Sequence, residues 1–158
     1  MGEVTLFTED KIKKVSCICI TKNRPLYLQR SIKCFENQNY GDKELIILYY
    51  KNDYETKGMA MSNNNPEIFY HEYDPEEGLT LGYIRNKCLD YTTGDYICVW
   101  DDDDWYHPNR IIKQYCHIVT SGKPACSLKQ LVIYDYETNK MKLTCMRNEG
   151  WEGSLMCE

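Results

Sequence analysis

Strand-like and helix-like segments alternate through the first 120 residues of this chain, and this alternation constrains the fold more than any other feature. Short apolar runs predict strands, and apolar residues at helical spacing predict helices between them. This order is typical of βαβ units, whose parallel strands form one sheet covered by helices. We therefore expect an α/β fold of three layers with a mostly parallel sheet. The predicted strands are Val15–Thr21, Glu44–Tyr50, Glu67–His71 and Asp95–Trp100, and the predicted helices are Pro25–Asn37, a short helix around Thr56–Met61, Thr80–Tyr91 and one that begins at Pro108.

In the last third of the chain the pattern changes to that of a small β-hairpin. Cys126–Tyr136 and Met141–Met146 predict its two strands, with a turn at Glu137–Lys140. The final residues, Trp151–Glu158, look like the start of another element. We expect residues 1–158 to form a single domain, because this length can bury one hydrophobic core.

Composition narrows the class of protein. The net charge of −5 argues against non-specific binding to nucleic acid. The nine cysteines are odd in number and form no Cys-x-x-Cys pair, and Cys17, Cys19 and Cys98 lie inside apolar runs. This usage is typical of free thiols in a reducing, cytoplasmic compartment. We also expect no membrane span, because no apolar run is long enough, and no signal peptide.

Four consecutive aspartates, Asp101–Asp104, directly follow the predicted strand that ends at Trp100. Ligands of open α/β sheets bind at the carboxyl ends of such strands. Adjacent carboxylates repel one another, and Mg²⁺ or Mn²⁺ is a usual partner for them. The alternative is an acidic turn that caps the next helix. A cap needs one aspartate or two, so four of them favour a metal site.

Four segments, in order, form a recognisable pattern: Ile20–Leu28, Glu44–Tyr50, Gly82–Asn86 with Gly94–Ile97, and Asp101–Trp105 with Pro108. Together they resemble the family 2 nucleotide-sugar glycosyltransferases, which have the Rossmann-like GT-A fold. The resemblance covers roughly residues 15–120, with a weaker match at Trp151–Ser154. It implies a GT-A-like domain with a donor-binding half at 15–120 and a partial acceptor half at 121–158.

The resemblance also implies an activity. Such an enzyme is a metal-dependent, inverting glycosyltransferase, which moves a sugar from a nucleotide-diphosphate sugar to a glycan or another hydroxyl acceptor. Asp101 and Asp103 would form the DxD motif, with Asp103 the principal ligand of Mn²⁺ or Mg²⁺ and Asp101 on the ribose or on the metal through water. The cation stabilises negative charge as it develops on the diphosphate. Asp102 would contact the donor, and Asp104 would approach the sugar or cap the following helix.

The same resemblance places Thr21, Asn23, Arg24 and Arg85 near the nucleotide or its phosphates. Simpler interpretations stay open for the two arginines: a solvated cation at a helix start for Arg24, and a surface position on a helix for Arg85.

One segment departs from the family pattern, which has an Asp-Asp-Gly-Ser-like loop after the second strand. Here the residues are Tyr49–Asp53. Asp53 would hold the base and Tyr50 would stack on it. A UDP-sugar is the expected donor, with a GDP- or dTDP-sugar as the alternative.

A second departure concerns the general base, which takes the proton of the acceptor hydroxyl. The acidic pair that serves in the family has no room before Glu158, so either this is a truncated catalytic domain or the base comes from elsewhere. We expect the chain alone to bind donor but to transfer sugar weakly or not at all. Glu152 is the preferred base within this chain, with Glu149 and Glu158 as further candidates. Trp151 would stack on an acceptor sugar, although packing is the commoner role for such a tryptophan.

Two other functions stay open. The chain could hold a nucleotide-sugar without turning it over, as a binding module. It could also be a nucleotidyltransferase, which uses paired aspartates and two cations. That class needs a Gly-rich segment or a basic cluster near the first strand, of which Lys22 and Arg24 are a faint version. No Gly-x-Gly-x-x-Gly or Walker A motif is present, which argues against classical dinucleotide and P-loop sites.

Overall fold

The computed structural model describes residues 12–74, 80–135, 137–145 and 150–158. These residues form a six-stranded sheet with helices on both faces and a separate two-stranded ribbon. The strands are β1 (Val15–Thr21), β2 (Lys43–Tyr50), β3 (Ile68–Tyr73), β4 (Tyr96–Val99), β5 (Ala125–Cys126), β6 (Gln130–Asp135), β7 (Lys140–Cys145) and β8 (Met156–Cys157). The helices are α1 (Pro25–Glu36), α2 (Tyr54–Ser62), α3 (Leu81–Leu89) and α4 (Arg110–Ser121), with a short 3-10 helix at Glu152–Ser154.

The main sheet is mostly parallel, as predicted. Its strand order is β3-β2-β1-β4-β8-β5. The first four strands run parallel, and β8 pairs antiparallel with both β4 and β5. The chain moves outward from β1 to β3 on one side and then returns to place β4 on the other side of β1. The gap above β1 and β4 is therefore the point at which the strand order switches, and ligands of open α/β sheets bind at such points.

Helices cover both faces of the sheet, which gives the three predicted layers. Leu28 and Phe35 of α1 and Ile111 and Ile118 of α4 pack in one core cluster. Cys88 of α3 packs in the other. Successive residues of β1 alternate between the two clusters, as the period of a strand requires. Cys17, Cys19 and Cys98 are fully buried in the first of them, where a thiol behaves as a small apolar group.

The C-terminal part differs in detail from the prediction. The hairpin is present as β6 and β7, but Cys126 belongs to β5 and therefore to the main sheet. Tyr136 and Met146, which were predicted to end the hairpin strands, lie outside the described residues. The predicted further element at Trp151–Glu158 is the 3-10 helix followed by β8. None of the helices in the described ranges is long and apolar enough to cross a bilayer.

Glu44, at the start of β2, is a buried carboxylate at the edge of the sheet opposite the aspartates. Its side chain is 2% exposed. It accepts hydrogen bonds from Lys14 Nζ at 2.5 Å, Ser16 Oγ at 2.6 Å and the Thr93 amide at 2.6 Å. Burial acts to raise the pKa of Glu44, but these hydrogen bonds outweigh it and lower the pKa. The network therefore stabilises the ionised form.

Replacing Glu44 with glutamine is expected to make the free energy of unfolding less dependent on pH. A carboxyl with a lowered pKa contributes stability above its unfolded pKa of about 4.3, and that contribution is lost as pH falls through the folded pKa. At pH 7 the free energy of unfolding of the parent should be about 2 kcal/mol larger than that of Glu44→Gln. This difference should become smaller as the pH falls from 5 to 3. Urea denaturation across that range measures it. Glu67→Gln, which removes an exposed partner of Lys43, is the matched control. A gap that does not change with pH would contradict this account.

Candidate functional site

The candidate site lies at the carboxyl edge of the parallel strands, above the switch point. Thr21 ends β1, and Tyr50 ends β2. Asp101–Asp104 follow β4 after one intervening residue, and α3 brings Arg85 to the same edge. The order of the strands thus gathers residues that are far apart in sequence.

Trp100 anchors the aspartates to the core. Its side chain is fully buried, and the centre of its ring lies 6.1 Å from that of Phe35 in an edge-to-face arrangement. Its indole N–H donates to the Ser31 carbonyl at 3.3 Å, and its amide donates to the Ile18 carbonyl at 2.9 Å. The segment Asp101–Asp104, which we call the acidic turn, therefore follows a residue that is held rigidly in the core.

Asp102 is turned into the protein. Its side chain is 1% exposed, and its Oδ2 accepts a hydrogen bond from Thr21 Oγ1 at 2.7 Å. Arg24 Nη2 lies 2.7 Å from Asp102 Oδ1. Burial raises the pKa of Asp102, while Thr21 and Arg24 oppose that rise. In this structure Asp102 holds Thr21 and Arg24, which were predicted to lie near the nucleotide.

Asp101 and Asp103 are more open, and each pairs with an arginine. Asp103, with a side chain 47% exposed, accepts a hydrogen bond from Arg24 Nη1 at 2.9 Å. Asp101, 33% exposed, accepts one from Arg85 Nη2 at 2.9 Å. Arg85 also pairs with Glu152, whose side chain is 80% exposed. Arg85 is thus not the simple surface residue of a helix, since its side chain is only 14% exposed.

These contacts offset part of the negative charge of the four aspartates. A divalent cation is another usual partner for adjacent carboxylates. In the structure Arg24 and Arg85 already lie against three of them. The repulsion alone therefore does not require a metal ion, and a metal proposal has to rest on the chemistry of the ligands.

Asp104 does not cap the following helix, and that alternative is wrong. Helix α4 begins at Arg110, and its N-cap residue is Asn109. The Asp104 carboxylate instead lies 3.5 Å from the hydroxyl of Tyr106. Partial burial of the carboxyl and the charges of Asp101 and Asp103 raise the pKa of Asp104.

The two loops predicted to hold the nucleotide are joined by Asp53. Asn23 has a left-handed backbone (φ 54°), and its amide donates to Asp53 Oδ2 at 2.7 Å. Asp53 also caps α2, since the Thr56 amide donates to Oδ1 at 3.0 Å and Thr56 Oγ1 donates to Oδ2 at 2.8 Å. The Asp53 side chain is 2% exposed. It therefore fixes the geometry of both loops, and its contact with a base stays a prediction.

Tyr50 lies beside the same loops. The ammonium group of Lys22 is 4.7 Å from the centre of its ring, and the centre of the Tyr73 ring is 6.3 Å away. One face of Tyr50 is thus already occupied by a cation. A stacked nucleobase would need the other face, or would have to displace Lys22.

The 3-10 helix brings the acceptor candidates to this edge. Gly153 approaches Asp101 so closely that an added Cβ would lie 2.2 Å from Asp101 Oδ2. Trp151 is partly buried, and its amide donates to the Leu128 carbonyl at 3.0 Å, which fits the packing alternative. Glu149 lies outside the described residues. Glu158 cannot act with the aspartates, because β8 runs antiparallel to β4 and carries Glu158 to the opposite edge.

Sequence reasoning missed Arg110, a buried residue of α4 that contacts the residues on which the site is built. Its side chain is 5% exposed. It donates to the carbonyls of Val99 at 2.8 Å and Gly153 at 3.2 Å, and its guanidinium lies 4.2 Å from the centre of the Tyr106 ring. The Tyr106 hydroxyl in turn accepts a hydrogen bond from the Asp101 amide at 2.7 Å. Its position four residues before Gln114, on the buried face of α4, is the sequence feature that could have identified it.

The residues at this edge can hold a divalent cation only as part of a larger ligand set. Within the described ranges, no three His, Cys, Asp or Glu side chains lie together in a way that could hold a metal ion. Asp101 and Asp103 offer hard carboxylate oxygens, which suit Mg²⁺ and Mn²⁺. Magnesium commonly binds one or two carboxylates and completes its shell with substrate phosphates and water. The donor set fits that mode of binding.

Two bacterial proteins are similar in sequence to more than half of this chain. It is 32% identical over 114 residues to protein CgeD of Bacillus subtilis, covering 66% of this chain and 27% of CgeD. It is 31% identical over 102 residues to the putative colanic acid biosynthesis glycosyl transferase WcaA of Escherichia coli, covering 61% of this chain and 35% of that protein. The chain thus spans about a third of the length of these relatives.

Solved structures show the same fold. TarS 1-349 of Staphylococcus aureus matches with a TM-score of 0.64 and 17% identity, over 75% of this chain and 36% of that one. A mannosyltransferase of Pyrobaculum calidifontis, solved with GDP-Man and Mn²⁺, matches with a TM-score of 0.62 and 14% identity, over 73% and 35%.

The family model described as "Glycosyl transferase family 2" matches residues 16–155, which is most of the chain. That span contains both loops at the switch point, the acidic turn and the 3-10 helix. The chain therefore belongs to glycosyl transferase family 2.

Proposed function

We propose that this chain forms the donor-binding part of a nucleotide-sugar glycosyltransferase. The observation that carries the proposal is the position of Asp101 and Asp103 at the switch point of a GT-A-like sheet, with Arg24 and Arg85 beside them. Two similar folds support it: TarS 1-349 has been solved with UDP-GlcNAc, and the mannosyltransferase with GDP-Man and Mn²⁺.

The donor would lie across the carboxyl edge of the sheet. Its nucleoside would occupy the space between the loop at Thr21–Arg24 and the loop at Tyr50–Asp53. The hydrogen bond from Asn23 to Asp53 holds these loops together before any ligand binds. Residues 15–120 supply this donor half, and residues 121–158 supply a partial acceptor half. A UDP-sugar is the donor we propose, with GDP- or dTDP-sugars as alternatives.

Asp101 and Asp103 would hold Mn²⁺ or Mg²⁺ as the DxD pair, together with oxygens of the diphosphate. When bound, the cation supplies positive charge against which the diphosphate can leave. Asp102 contributes indirectly, by holding Arg24 and Thr21. Arg85, between Asp101 and Glu152, places a second positive charge at the edge where the phosphates would lie.

Within this chain, one exposed carboxylate at the site is suited to take the proton of the acceptor hydroxyl. Glu152 is exposed, and Arg85 forms ion pairs with both Glu152 and Asp101. Glu152 is therefore close to the proposed metal ligand and accessible to an acceptor hydroxyl from solvent. We propose it as the general base of an inverting, in-line transfer, with Trp151 against the acceptor sugar and Asp104 near the donor sugar. Glu152→Gln should then lower kcat with little change in nucleotide affinity.

A thermal-shift panel tests the donor proposal. UDP, GDP and ADP are each added with Mn²⁺ and again with EDTA. A ligand that binds only the folded chain stabilises it by about 2.7 kcal/mol at a hundred times its Kd. We expect UDP with Mn²⁺ to give the largest rise in Tm, and EDTA to remove most of it. Equal shifts for the three nucleotides would refute base selection, and no shift with any of them would refute donor binding.

The second candidate is a binding module that holds the nucleotide-sugar without turnover. It is favoured by the described residues, which build the donor side more completely than the acceptor side. Release of UDP from a UDP-sugar, measured with and without Mn²⁺, distinguishes it from an enzyme. Membership of family 2 argues against the nucleotidyltransferase alternative.

A further inference from the structure

Arg24 bridges two carboxylates that lie in different environments. Its Nη2 is 2.7 Å from Asp102, whose side chain is 1% exposed, and its Nη1 is 2.9 Å from Asp103, whose side chain is 47% exposed. One guanidinium thus joins a buried carboxylate to an open one. Asp103 is also the residue proposed as the principal metal ligand, so the arginine and the cation would compete for the same group.

We propose that Arg24 is an internal counter-ion that occupies Asp103 until the donor diphosphate and the cation arrive together. The inference rests on the proposed function, because it assumes that Asp103 is a metal ligand. Arg24 would thereby favour joint binding of the cation and the diphosphate over binding of the cation alone. A divalent cation alone has to displace the guanidinium, whereas the diphosphate offers the displaced guanidinium a new anionic partner.

The two halves of the bridge differ in strength for physical reasons. The Asp102 half is shielded from water, and Thr21 fixes the orientation of that carboxylate through a 2.7 Å hydrogen bond. The Asp103 half is open to solvent, where ion pairs contribute little. We therefore expect Arg24 to release Asp103 while it keeps Asp102. The exchange then needs only a small rotation of one side chain.

The backbone of the turn does not need to move during this exchange. Arg30 Nη2 donates to the Asp103 carbonyl at 2.7 Å, and Ser31 Oγ donates to the Asp101 carbonyl at 3.2 Å. Both contacts involve main-chain atoms and leave the carboxylates out. The side chain of Asp103 can thus change partner while its backbone stays in place.

The consequence is a coupling between the two ligands that depends on Arg24. In the parent, UDP should tighten Mn²⁺ binding both by giving oxygens to the metal and by taking up the guanidinium. Without the guanidinium, Mn²⁺ has no competitor at Asp103, and UDP loses one of its two effects. Linkage then requires that the Mn²⁺-induced gain in UDP affinity shrink by the same factor.

Free Mn²⁺, followed by its electron paramagnetic resonance signal, measures the affinity of the chain for the metal with and without UDP. We expect Arg24→Gln to bind Mn²⁺ alone at least about fivefold tighter than the parent, with a smaller enhancement by UDP. Lys57→Gln is the matched control, since it removes one exposed positive charge on α2 that pairs with Glu72 instead. It should alter Mn²⁺ binding by less than about twofold, because exposed charges are screened by salt.

Arg24→Lys keeps the charge but loses the fork that spans two carboxylates. It should give an intermediate Mn²⁺ affinity, and it decides the question if Arg24→Gln fails to fold. The inference is overturned if the parent binds UDP with Mn²⁺ while Arg24→Gln binds Mn²⁺ alone no tighter than Lys57→Gln does. A parent that shows no binding of UDP and Mn²⁺ together overturns the proposed function as well.

Discussion

Replacing Asp103 with alanine is expected to abolish the manganese-dependent binding of UDP while the fold stays intact. Asp103 is an open member of the acidic turn, with a side chain 47% exposed and outside the buried core. Its removal takes away a proposed metal ligand and one of four adjacent negative charges, and it leaves Arg24 on Asp102. We expect the Kd for UDP with Mn²⁺ to rise at least about a hundredfold, or about 2.7 kcal/mol.

Calorimetric titration of UDP in the presence of Mn²⁺ measures this loss, and a melting curve in EDTA checks the fold. The Tm without ligand should be unchanged or slightly higher, because repulsion is relieved. Asp74→Ala is the control: it removes an exposed carboxylate that pairs with Lys51 away from the turn, and it should bind as the parent does. If Asp103→Ala also binds as the parent does, the metal assignment is wrong.

Replacing Arg110 with methionine is expected to have the largest effect on stability. Methionine keeps an unbranched stem but leaves the carbonyls of Val99 and Gly153 and the amide oxygen of Gln114 without their donor. Buried acceptors that lose a charged donor cost about 1–3 kcal/mol each, and partial rearrangement reduces the sum. We expect a loss of about 3 kcal/mol, which lowers Tm by about 6–12 °C in a domain of this size.

Lys113→Met, on the exposed side of the same helix, makes the same chemical change without a buried partner. It should stay within about 0.5 kcal/mol of the parent. Urea denaturation of both variants measures the difference. An Arg110→Met chain as stable as Lys113→Met would show that the buried guanidinium does not support the turn.

The parallel sheet was predictable because its central strands are buried on both faces. Val15–Thr21 is a continuous apolar run with one serine and one threonine, and β1 has those bounds. Helix α1 was equally clear, since Pro25 begins it and Leu28 and Phe35 lie on its buried face. Helix α2 was harder to predict, because Thr56 is its only buried residue among those described. Asp53 caps this helix and Met59 packs on the core at one point, and a pattern of apolar residues shows neither contact clearly.

The candidate site was predictable as a set of residues but not as a set of contacts. The acidic turn and both arginines follow from local sequence and from family resemblance. The pairing of Arg24 and Arg85 with the aspartates depends on the strand order, because that order places β1 and β4 side by side. Arg110 escaped notice because a charged residue at the start of a helix is usually solvated. The strand β8, only two residues long, carries too little pattern to be recognised.

The position of β8 has a consequence for the order of folding. β1 to β4 all precede residue 100, whereas β8 lies at Met156–Cys157 and inserts between β4 and β5. Because synthesis proceeds from the N-terminus, β4 can pair with β1 before β8 has been made. The 3-10 helix that brings Gly153 to Asp101 and Glu152 to Arg85 precedes β8 directly. A nascent chain would therefore complete its sheet core first and its ligand-binding edge last.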